Sequence, residues 1–91
     1  MDKVEFESLL RQDGFDDVGV MGKPQAPIND PHAHAFDARA LILDGEITLT
    51  IDGVATAYRR GDTYDVPAGT AHQETVPSGG VEYVYGLRHT S

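Results

Sequence analysis

Three histidines and one glutamate carry the chemistry that this sequence offers. His32 and His34 are separated only by Ala33. In an extended strand, side chains two residues apart share a face. Two imidazoles on an inward face repel when protonated and need partners for their ring nitrogens when neutral. A divalent transition metal answers both problems, because neutral imidazole is the commonest metal ligand. The competing reading is a solvated pair beside Pro31. His72 stands farther along, behind the spaced residues Gly61, Pro67 and Gly69. Glu74 follows His72 by two positions and so shares its strand face. A carboxylate inside a small apolar core must be paired, protonated or metal-associated. Glu74 therefore reads as a pocket acid or base, a metal ligand, or a mouth residue touching water. The first is the catalytic assignment carried forward.

Short elements must position these residues. Asp2 is a good N-cap with Glu5 three residues on, and Phe6, Leu9 and Leu10 form one apolar stripe. Gly14 supplies the stop, which predicts a helix of two or three turns. Val18 to Met21 reads as a strand. Pro24, Pro27 and Pro31 then forbid a helix and disfavour a central strand. From His32 onward the pattern is β. Ala40–Leu43 is an apolar run closed by Asp44-Gly45. Ile47, Leu49 and Ile51 alternate with polar residues, the period of a half-buried strand. Asp52-Gly53 predicts a type I′ hairpin turn into a return strand from Val54 to Arg59. Thr63 to Val66, His72 to Val76 and Val81 to Leu87 complete the set. Strands of this length with turns every eight to twelve residues predict a small sandwich or barrel. His89 matches no pattern and reads as frayed tail.

Composition narrows the functions. The chain has 91 residues, a formal net charge of −8 and no cysteine. One domain is expected at this length. The acidic balance argues against nucleic acid and anionic membranes as partners. The missing cysteines remove disulfides, thiolate catalysis and Cys-type zinc sites. Met1 to Leu10 carry three acids and no long apolar run, so no signal peptide or membrane span is expected, and a cytoplasmic location fits.

Taken together, Gly61, Pro67, Gly69 and His72 reproduce the spacing G-x5-P-x-G-x2-H, and His32, His34 and Gly45 match the pattern H-x-H…G that precedes it. The chain resembles a small single-domain bacterial cupin. The resemblance covers about Pro31 to Val76. It implies an all-β fold: a double-stranded β-helix, or jelly-roll-like barrel, over 31–87 with a helical appendage over 1–14, the whole of 1–91 forming one cupin domain. It also implies that His32, His34 and His72 converge on a divalent transition metal, Fe, Mn, Ni or Zn. A three-histidine face leaves coordination positions open.

Two positions depart from the family pattern. The usual glutamate ligand falls on Ala38, or on Arg39 with the longer spacing, and neither binds metal. Arg39 is expected to point outward, with Asp37 as its partner. The asparagine of the second motif is replaced by Val76. Phe36, Tyr64 and Tyr83 are the expected substrate-binding residues, with Tyr85 a further aromatic near them. The resulting expectation is a metal-binding cupin that acts on or binds a small polar molecule. The alternative is a non-catalytic module for a sugar or organic acid, with or without metal. Apolar edge strands on so small a barrel imply a homodimer.

Overall fold

One long strand organises the molecule. A computed structural model describes residues 1–89. They form α1 (Lys3–Gln12), β1 (Asp17–Lys23), β2 (Phe36–Ile51), β3 (Val54–Arg59), β4 (Thr63–Val66), β5 (Gln73–Thr75) and β6 (Val81–His89). The strands run in the order β1-β6-β2-β3, and β4 and β5 also pair with β2. Every ladder is antiparallel. This is an antiparallel β-barrel with one short N-terminal helix, as expected.

β2 differs from the sequence expectation. Asp44-Gly45 does not end a strand; β2 continues for 16 residues. Its first half pairs with β6 and β4, and its second half with β3 and β5. A register shift within the β2–β6 ladder lies between Ile42 and Asp44, and pairing with β3 begins at Glu46. Gly45 makes the bend possible, with φ +76° and a missing Cβ that would lie 2.1 Å from the Gly80 carbonyl oxygen. Any side chain there would collide with backbone, so the chain turns a barrel corner where local composition reads as a loop. The Asp52-Gly53 turn forms as expected, with φ 52° and 77°.

The core follows the alternation of the strands. Ala40, Ile42, Ile47, Leu49, Val66 and Val76 fill the barrel with Val81 and Tyr83. A second cluster of Phe6, Leu10, Phe15, Leu41 and Val84 fastens α1 to the outside of β2 and β6. Asp2 caps α1 by accepting the Glu5 amide N–H at 2.8 Å. Leu9, expected in the apolar stripe, is instead 42% exposed, because only the Phe6 and Leu10 side of the helix meets the sheet. Gly86 permits that contact, since a Cβ there would sit 2.8 Å from a Leu10 methyl. Among the described residues no helix is long and apolar enough to cross a membrane.

His89 also corrects the reading of a frayed tail. It ends β6, pairs with Phe36 in the ladder, and its ring lies 5.3 Å from the Phe36 ring.

Candidate metal centre

The stretch before β2 is extended, and its burial alternates. Pro31, Ala33 and Ala35 face out, while His32, His34 and Phe36 turn inward. Within it His32 forms an isolated antiparallel bridge with His72, as Ala26 does with Val76. Directly opposed residues of such a pair project to the same side. His34 lies outside any strand but keeps the alternation, and its carbonyl accepts the Gly69 amide at 2.9 Å. The Pro67-Ala68-Gly69 turn is thereby tied to the histidine segment, which brings His72 alongside. Ring centroids are 4.3 Å apart for His32–His72, 4.9 Å for His32–His34 and 5.3 Å for His34–His72. One ligand atom from each of the three lies within 4.8 Å of the others.

The ring hydrogen bonds support metal binding. His72 Nδ1 is 2.9 Å from the Thr70 carbonyl oxygen, and His32 Nδ1 is 3.2 Å from that of Asp30. A carbonyl only accepts, so in each neutral ring Nδ1 carries the hydrogen. Nε2 is left as the free lone pair, the arrangement that orients a histidine ligand. Burial lowers the pKa of His34, and repulsion from His32 and His72 lowers it further. Both effects favour neutral imidazole, the form that binds metal. The donor set therefore fits a divalent transition metal.

A cavity of about 240 Å³ opens beside His34 and His72. Phe36, Tyr64 and Tyr83 line it, as do Tyr85 and Ala38. Phe36 stacks on His34 at 4.7 Å with the planes 10° apart. Burial raises the Tyr64 phenol well above its ordinary pKa and raises that of Tyr83, so both stay neutral. Ala38, the vacant carboxylate position in β2, pairs with Val66 of β4 and Leu87 of β6 and contributes only a methyl to the wall.

Glu74 is in this wall too. It pairs with Leu49, a buried core residue, which fixes its inward direction. Its Oε1 is 3.9 Å from His72 Nε2, but it stands outside the three-histidine cluster. Its Oε2 accepts a 2.9 Å hydrogen bond from Lys23 Nζ. Burial alone would lower the Lys23 pKa; the Glu74 hydrogen bond, together with Tyr83 and the Glu74 charge, outweighs it and raises the value above that of ordinary lysine. Asn29 holds the Glu74 backbone, its side-chain oxygen accepting the Glu74 N–H at 2.7 Å. Neither Lys23 nor Asn29 was legible as a site residue. Lys23 is 51 positions from Glu74, and no local signal links them.

The expected Arg39–Asp37 pair does not form. Arg39 instead binds Asp13 and Asp65 and lies 4.9 Å from the centre of the Phe15 ring. Asp37 pairs with Arg88 and accepts the Ala68 amide. Asp37 and Arg39 share a strand face, but each pairs with the residue directly opposite on a neighbouring strand, Arg39 with Asp65 of β4 and Asp37 with Arg88 of β6.

Comparison with protein families finds that the Cupin domain model matches residues 20–84. The chain belongs to the cupin family. Solved structures agree on the cupin fold. EutQ of Clostridium difficile aligns with TM-score 0.69 and 21% identity, over 79% of this chain and 55% of that one. A cupin superfamily protein of Desulfitobacterium hafniense gives 0.66 and 18%, over 82% and 80%. The DMSP lyase DddQ of Ruegeria pomeroyi gives 0.67 and 21%, over 78% and 36%. This cupin thus spans little more than half of the EutQ chain and about a third of the DddQ chain. Comparison with curated proteins finds no match. At these identities the likeness is one of fold, and a shared fold does not settle a shared reaction.

Proposed function

We propose that this cupin binds one divalent transition metal through His32, His34 and His72 and binds or transforms a small polar molecule in the adjoining cavity. The observation that carries this reading is the turning of the His32 and His72 Nδ1 atoms to backbone carbonyls, which leaves Nε2 free on each ring. Imidazole suits Fe, Mn, Ni and Zn alike. A metal held by three imidazoles keeps open positions and polarises an oxygen or nitrogen bound there.

The chain supplies the rest. Glu74 takes or gives a proton at Oε1, the oxygen that Lys23 does not hold. Phe36 fixes the plane of His34 by stacking. Tyr64 and Tyr83 present neutral aromatic faces to the ligand. We further propose that residues 1–91 act as one domain, that the setting is cytoplasmic, and that two chains pair. β1 supports pairing, because it is the edge of the β1-β6-β2-β3 order and exposes Val20 and Met21 by 46% and 41%. Elemental analysis of protein purified without chelator or affinity tag tests the metal. About one transition metal per chain is expected, and a metal-free protein that also refuses added metal refutes the reading.

A further inference from the structure

Glu74 is held at three points. Its N–H is bound by the Asn29 side chain, its carbonyl oxygen accepts the Asn29 amide at 3.2 Å, and its Oε2 is bound by Lys23. With backbone and carboxylate both anchored, the side chain has little freedom left. Its remaining oxygen faces His72 Nε2 from 3.9 Å, yet the carboxylate stays outside the cluster that the three histidines form.

Lys23 is the cation that holds it there. It ends β1, opposite Val81 of β6, so its backbone belongs to the barrel wall rather than to the loop that follows. Its ammonium lies 5.8 Å from the centre of the Tyr83 ring, which limits where it can go. The other cation beside the cavity, Arg39, is already bound by Asp13 and Asp65. Without Lys23 the half-buried Glu74 carboxylate would have no Lys or Arg beside it among the described residues. A partly buried, unpaired carboxylate is costly, and it moves toward whatever positive charge remains.

We infer that Lys23 is a positioning residue that holds the Glu74 carboxylate away from the metal, leaving one coordination position open for a bound molecule. The inference rests on the three-histidine reading above. With Lys23 removed, Glu74 becomes a fourth ligand.

Cobalt(II) titration tests this, with a competing chelator and visible ligand-field absorption as readouts. The metal-stripped full chain is compared with Lys23→Met, Lys23→Arg, Glu74→Gln and the Lys23→Met/Glu74→Gln pair, each checked for folding by circular dichroism. Lys23→Met is expected to bind cobalt about tenfold or more tightly than the parent chain, with a changed absorption band, because a carboxylate joins the shell. Adding Glu74→Gln returns both readouts to parent values. Lys23→Arg and Glu74→Gln alone match the parent. If Lys23→Met does not fold, Lys23→Gln carries the same expectation. Unchanged affinity and spectrum in the uncharged variant overturn the inference. So does weaker binding by Glu74→Gln alone, which would make Glu74 a ligand already. A parent chain that takes up no cobalt, with His72→Ala no different, refutes the metal centre itself.

Discussion

His32 and His72 are joined by a reciprocal pair of backbone hydrogen bonds, 3.0 and 2.9 Å long, although 40 positions separate them in the chain. The pair is an isolated bridge, not part of a longer ladder. Its effect is to set two imidazoles side by side through the main chain. The geometry of two candidate ligands therefore rests on backbone bonds. Removing one ring should empty the site without dismantling the barrel. His34→Ala or His72→Ala is expected to lose stoichiometric binding of a divalent metal while keeping the parent circular dichroism spectrum. Calorimetric titration checks it, and unchanged affinity in both variants would sink the assignment.

Ala38 is the second test. It occupies the position of the family's usual glutamate ligand and faces the cavity that His34 and His72 border. Ala38→Glu is expected to tighten metal binding about tenfold or more, since an added carboxylate contributes charge and a further donor. Weaker binding, or loss of the fold, would show that this methyl does not point at the metal.

Glu74 separates chemistry from coordination. Glu74→Gln keeps size and hydrogen bonding but removes the titrating group. Metal content is expected to survive, while turnover of any identified substrate falls by about 10²–10⁴-fold. Metal analysis and one activity assay on the same variant decide it. Full turnover would remove Glu74 from the mechanism.

Asp37 gives the fold a pH dependence. The Ala68 amide and then the Arg88 guanidinium hold its pKa below the ordinary carboxylate value. A carboxylate with a depressed folded pKa stabilises the fold above its unfolded pKa, and the contribution disappears as pH falls through the folded value. Asp37→Asn is therefore expected to be less stable than the parent at neutral pH, with the gap closing below about pH 4. Urea unfolding across a pH series measures the gap, and a gap independent of pH would contradict the assignment.

The exposed edge of β1 bears on assembly. Light scattering is expected to give twice the 9.8 kDa chain mass. A monomer mass at micromolar concentration would reject pairing.

Much of the fold was legible because its signals are local. The cap at Asp2, the Asp52-Gly53 turn and the alternation of Ile47, Leu49 and Ile51 each act within a few residues, where sterics and burial decide the conformation. The three histidines were legible too, because His-x-His on an extended segment and the spacing up to His72 survive in the sequence. Packing decided the rest. Asp44-Gly45 reads as a loop, yet β2 runs through it because Gly80 of a distant turn presses against the missing Cβ of Gly45. Arg39 and Asp37 are neighbours on one strand but take partners from elsewhere, Arg39 from the α1 end and β4, Asp37 from β6 and the Pro67 turn. Lys23 meets Glu74 only when β1 and β5 close around the same cavity. Ion pairs between distant strands leave no periodic trace, because barrel closure, and no local preference, sets the distance between their charges.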